Sequence, residues 1–121
     1  MGTLASSVNI LDRLEHQQLS AVTFVQDYVQ LHFDGPYLNA YVWPTVKDPK
    51  KAFGRETPGY RDALCKLIGK LVVKACEDAH ERLVIQFADG ATIEVSLKES
   101  DREGPEAAMF QDPSDKRWNV W

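Results

Sequence analysis

Apolar and polar positions alternate along two stretches of the chain, and a single Asp-Gly pair breaks each alternation. The first stretch, residues 28 to 42, reads YVQLHFDGPYLNAYV, and the second, residues 82 to 97, reads RLVIQFADGATIEVSL. Alternation on both sides of Asp-Gly is the strongest short-range signal for a β-hairpin, because the tight turn needs residues that tolerate positive φ. A further strand-like run precedes each hairpin, LSAVTFV at 19 to 25 and LVVKAC at 71 to 76.

Parity fixes the register of both hairpins. A two-residue Asp34-Gly35 turn pairs Leu31 with Leu38, Val29 with Ala40 and Tyr28 with Tyr41, which keeps the aliphatic residues on one face. Pro36 has no N–H for the closing bond, so the loop is expected to open to four residues. In the second hairpin a two-residue turn would set Ile85 against Glu94. The extra Ala88 instead makes a three-residue loop, Ala88-Asp89-Gly90, with Gly90 left-handed, Ile85 opposite Ile93 and Leu83 opposite Val95.

A helical period precedes each set of strands. Tyr60, Ala63, Leu64, Leu67 and Ile68 form one stripe at 3.6-residue spacing, predicting a helix over 58–68. Thr57 is its candidate N-cap, Pro58 its first residue and Gly69 its left-handed C′. A weaker helix runs from Ser7 to His16, with Ser7 as cap and Val8, Leu11 and Leu14 facing inward.

The pattern therefore predicts one α+β domain over residues 1–121. Its sheet is predominantly antiparallel and built from two α-β-β-β halves, 7–43 and 57–97, read as an internal duplication. Helix 58–68 packs on the aliphatic face. Residues 1–6 are expected to be a disordered tail and 44–56 a basic linker. Residues 98–121 form a C-terminal extension, with a charged loop and strand-like segments in GPEAAMF and RWNVW. The expected core comprises Leu31, Phe33, Leu64, Leu67, Ile85, Phe87, Ile93 and Val95.

Charge and composition narrow the function classes. The 121 residues carry 14 Lys and Arg against 18 Asp and Glu, a formal charge of −4. That balance argues against nucleic acid, whose binding depends on cations that neutralise phosphates. No run approaches the roughly 18 apolar residues of a membrane span, so no membrane partner is expected. The N-terminus lacks the basic and apolar regions of a signal peptide. It does match the N-myristoylation pattern through Gly2 and Ser6, the alternative being a frayed tail of small residues. Cys65 and Cys76 show no metal-ligand spacing, and two isolated cysteines suit a reduced, cytoplasmic protein. A disulfide between them is the other option.

Chemistry is sparse, and one face stands out. If Val29, Leu31, Phe33, Leu38, Ala40 and Val42 point to the core, then Tyr28, Gln30, His32, Tyr37, Asn39, Tyr41 and Trp43 point away from it. Four large aromatics among polar residues is the composition of a binding face. Tyr28, His32, Tyr37, Asn39, Tyr41 and Trp43 are accordingly the candidate binding residues. Three readings stay open: cover by another segment such as the Trp-rich C-terminus, a homodimer contact, or a second protein or small ligand. The second hairpin's outer positions, Val84, Gln86, Thr92, Glu94 and Ser96, look solvated.

Other clusters read as solvated polar residues. Glu77, Asp78, His80 and Glu81 fall in a predicted turn without metal-ligand spacing. Lys47, Lys50, Lys51 and Arg55 lie in a linker with a single glycine, unlike a phosphate-cradling loop. No nucleophile elbow or Cys/His pairing is present, so no catalytic residue, metal or cofactor is assigned. The expected function is a non-enzymatic interaction domain, either self-associating or binding another protein. The alternative is an enzyme or small-molecule binder with a site at the seam of the two halves.

The repeated aliphatic strand before Asp-Gly (Val29, Leu31, Phe33 and Leu83, Ile85, Phe87), with Gly104-Pro105-Glu106 and Val120-Trp121, resembles small bacterial α+β domains. Some of these are similar to immunity proteins that neutralise toxins of competing cells. The resemblance spans residues 14–121, implies an α+β fold and a binding role, and assigns no functional residue.

Overall fold

A computed structural model describes residues 9–121. The expected tail at 1–6, the Ser7 cap, Val8 and the Gly2/Ser6 pattern lie outside the described residues.

Among the described residues ten strands form two antiparallel sheets. In chain order they are β1 (Ala21–Phe24), β2 (Val29–His32), β3 (Tyr37–Ala40), β4 (Thr45–Lys47), β5 (Ala52–Phe53), β6 (Val72–Asp78), β7 (Arg82–Phe87), β8 (Thr92–Ser96), β9 (Ala108–Asp112) and β10 (Arg117–Val120). The first sheet runs β1-β2-β3-β9-β10 and the second β5-β4-β8-β7-β6. Each sheet is thus a three-strand meander extended by a hairpin from the other half of the chain. Hairpin β4-β5 follows the first meander and joins β8, whereas β9-β10 follows the second and joins β3.

Helix is scarce. The single α-helix among the described residues, α1 (Tyr60–Cys65), is accompanied by 3₁₀ turns at Ile10–Leu14 and Glu99–Asp101. The expected helix over 58–68 therefore shortens at both ends. Gly59, with φ +88°, holds the N-cap position instead of Thr57, whose hydroxyl accepts from the Gly54 N–H at 3.0 Å. After Cys65 the bonds tighten to i+3 spacing, from Leu67 N–H to Leu64 and from Ile68 N–H to Cys65. That change of pitch carries Ile68 out of the stripe, leaving it 43% exposed while Leu64 and Leu67 are buried. The helix touches β1 of one sheet and β4 of the other, so it stands at their seam.

Both hairpins have the register that parity predicts. Val29 faces Ala40 and Leu31 faces Leu38, and the ladder ends at His32 and Tyr37. Beyond it Phe33 N–H donates to the Pro36 carbonyl at 2.8 Å, while the proline returns no bond. In the second hairpin Leu83 faces Val95, Ile85 faces Ile93, and Gly90 has φ +93°.

The basic linker is a correction. Thr45–Lys47 and Ala52–Phe53 are paired strands, and the turn between them is held by Asp48, whose carboxylate accepts the N–H groups of Lys50 and Lys51 at 2.8 and 2.7 Å. One buried cluster takes residues from both sheets, including all eight expected core positions, with Leu11, Leu14, Leu19 and Phe110. Residues 16–19 also tie the halves by backbone bonds to 69–72, such as Val72 N–H to the Gln17 carbonyl at 2.9 Å.

Candidate functional site

The outer face of the first sheet follows from its register. One row across the strands reads Ala21, His32, Tyr37, Gln111 and Trp118, and the next reads Thr23, Gln30, Asn39, Met109 and Val120. The C-terminal strands therefore lie beside β3 and widen the face. They do not cover it, which overturns cover by the Trp-rich terminus. Trp118 is 64% exposed on the edge strand, with Val120 also exposed.

Polar bonds order this face. The Tyr37 hydroxyl donates to Gln111 Oε1 at 2.6 Å, fixing the ring beside His32, whose centroid lies 6.0 Å away. Thr23 Oγ1 and His32 Nε2 are 3.4 Å apart. Asn39 is only 6% exposed; its Nδ2 donates to the Tyr41 hydroxyl at 3.4 Å, and its Oδ1 has no partner among the described residues. Tyr28 and Tyr41 meet edge to face, with centroids 5.3 Å apart. They share a small cleft of about 240 Å³ with Asp27 and the loop Glu103–Glu106.

Of the six candidate residues, the structure thus groups His32 with Tyr37, and Tyr28, Asn39 and Tyr41 beside them. Trp43 is a correction, because it packs against the core cluster away from this face. Tyr41 and Val42 both donate their N–H to the Ala107 carbonyl, at 2.9 and 3.2 Å. Two successive donors on one acceptor shift the phase of the alternation, so outward parity ends before Trp43. In the sequence Trp118 belongs only to the strand-like segment RWNVW, and its pairing with Gln111 in β9 shows its side.

Trp43 instead lines a cleft of about 770 Å³ between Phe24 of β1 and the segment Arg55–Asp62 leading into α1. The Arg55 guanidinium lies 4.4 Å from the Trp43 ring centroid and that of Arg61 5.4 Å from the Phe24 centroid. Tyr60 donates its hydroxyl to the Pro44 carbonyl at 2.5 Å. Burial pushes its pKa far above the ordinary tyrosine value against the opposing pull of Arg55, so this phenol is a fastening group and not an acid at neutral pH.

The remaining clusters are engaged internally. Glu77 accepts from Trp121 Nε1 at 2.9 Å and sits 2.6 Å from His80 Nδ1, and Asp78 pairs with Arg82 at 2.8 Å. Lys47 pairs with Glu94 at 3.2 Å, and Lys51 lies over Phe53. Cys65 and Cys76 are both free thiols. Among the described residues no group of three or more His, Cys, Asp or Glu is placed to hold a metal ion, and no helix is long and apolar enough to cross a membrane.

Comparison with protein-family models, with curated proteins and with solved structures finds no match.

Proposed function

We propose that this chain is a non-enzymatic interaction domain that presents the outer face of its first sheet to a protein partner, either a second copy or another protein. The observation that supports this most is Trp118, 64% exposed at the end of the row that holds Gln111, Tyr37 and His32. Tryptophan and tyrosine on an open face are the residues that dominate interface energetics, and contiguous apolar exposure is uncommon without a partner. The edge strand β10 adds backbone groups on its open side, which another strand can pair. The resemblance to immunity-type domains agrees with a binding role, and the two free cysteines agree with a reducing, cytoplasmic setting.

We also infer that the two halves derive from one duplicated unit whose terminal hairpins are exchanged. The matching orders β1-β2-β3-β9-β10 and β6-β7-β8-β4-β5 support this, as does the short helical segment before each meander.

Light scattering over roughly 1–100 μM, the range in which micromolar dimers dissociate, tests the first reading together with capture from host lysate. The double variant Trp118→Ser, Tyr37→Ser is expected to lose the association that the parent shows. A parent that stays monomeric, and captures nothing that the double variant does not also capture, overturns it.

A further inference from the structure

We propose that the cleft at the seam of the two sheets is a binding site for a small organic oxyanion, a carboxylate or a phosphomonoester. It is independent of the sheet face described above and is carried by the state of its two arginines.

Three of the four other arginines spend side-chain donors within the protein, and the fourth, Arg117, lies exposed on the edge strand β10. Arg13 reaches Asp112 and Asp115, Arg82 reaches Asp78, and Arg102 reaches the carbonyls of Leu97 and Pro105. Among the described residues Arg55 and Arg61 make no such bond, although Glu56 and Asp62 line the same cleft. Each guanidinium instead lies over a ring, Arg55 over Trp43 and Arg61 over Phe24. A cation over a ring face is attracted by the ring quadrupole, an interaction that does not consume the N–H donors at the edge of the guanidinium. A planar fork with free donors matches two oxygens of a carboxylate or phosphate and takes them bidentately.

Size and polarity agree with this ligand class. A cleft of about 770 Å³ falls within the range of roughly 300–1,000 Å³ that small-molecule sites occupy. Its walls come from both halves, Phe24 and Trp43 from the first and Arg55 to Asp62 from the segment entering α1. Glu56 and Asp62 weaken the field available to a bare polyanion and so select an organic acid of low charge that the arginine forks address directly.

The test titrates the ¹⁵N-labelled full chain with phenyl phosphate and with glutarate in low-salt buffer, following the Trp43 indole and the Arg55 and Arg61 side-chain signals. Saturable shifts at these groups are expected with at least one probe, and a loss of affinity of about tenfold or more is expected in R55Q/R61Q. Shifts with phenyl phosphate alone assign the ligand as a phosphomonoester, with glutarate alone as a carboxylate, and with both as their shared oxyanion chemistry. The variant's own spectrum reports whether it is folded, and R55K/R61K, which keeps both charges without the fork, is expected to bind more weakly than the parent. Absence of saturable shifts with either probe overturns the proposal. So does undiminished binding by R55Q/R61Q or by R55K/R61K.

Discussion

The two sheets share one strand order and differ in what they show to the outside. Facing inward, Leu31 and Leu38 of the first correspond to Ile85 and Ile93 of the second, and all four are buried. Facing outward, the first sheet carries His32, Tyr37, Met109, Trp118 and Val120. The second carries Thr45, Lys47, Val84, Gln86, Thr92 and Glu94, with Lys47 and Glu94 paired. Inner positions have to fill a shared core at close-packed density, so little variation is tolerated there. Outer positions are free of that demand, and the contrast separates the residues that build the sheets from those available for recognition.

The largest effects are expected inside, and they should be equal. Phe33→Ala and Phe87→Ala, the last core residues before the two Asp-Gly turns, should each cost about 3–5 kcal/mol in urea denaturation. A cost below about 1 kcal/mol for either one would break the equivalence of the inner faces. Next comes the turn of the second hairpin. Gly90→Val should cost about 1–2 kcal/mol, the penalty of a branched residue at positive φ. The added Cβ would meet only Pro49 Cγ at 3.8 Å, so backbone strain and not crowding sets the loss.

A smaller effect distinguishes the sheets by pH. Asp112 ends β9 nearly buried. Burial pushes its carboxyl pKa up, but hydrogen bonds from Ser114 and Arg13 outweigh that and hold it below the usual carboxylate value. A folded-state pKa below the unfolded one means that the stabilisation is present above the ordinary carboxylate range and is lost as pH falls through it. Thermal midpoints should therefore fall less steeply below about pH 4 in Asp112→Asn than in the parent. Identical acid slopes would show that the Arg13 contact contributes nothing. Smallest of all, Trp118→Ser and Glu94→Gln should each shift stability by about 0.5–1 kcal/mol or less. Only the first should change association, and a matching loss from Glu94→Gln would erase the distinction between the outer faces.

How much of this was legible depends on the distance over which each signal acts. The hairpins could be read because Asp34-Gly35, Ala88-Asp89-Gly90 and the parity of their neighbours are local. The exchanged hairpins could not. Strands as short as Ala52–Phe53 contain no full alternation, the lysines and Pro49 around them have the composition of a loop, and the pairing of Leu38 with Phe110 has no local signature. The helix was placed correctly but overextended, since the apolar stripe runs on through Ile68 while the backbone changes pitch after Cys65. Trp43 was misassigned because alternation was carried past the shared acceptor at Ala107. The placement of Arg55 and Arg61 over rings is invisible in the sequence, because those rings come from segments 12 and 37 residues away.

The reciprocal exchange of hairpins has a consequence for how the chain is made. During synthesis residues 21–40 leave the ribosome well before residues 108–112, and β3 cannot gain its second neighbour until those emerge. The waiting hairpin β4-β5 likewise has no sheet to join until β8 appears. Loop closure over such separations is slow compared with local pairing. Between those two points the nascent chain carries an unfinished first meander with the edge of β3 exposed, and chaperone protection of residues 37–40 would matter most in that interval.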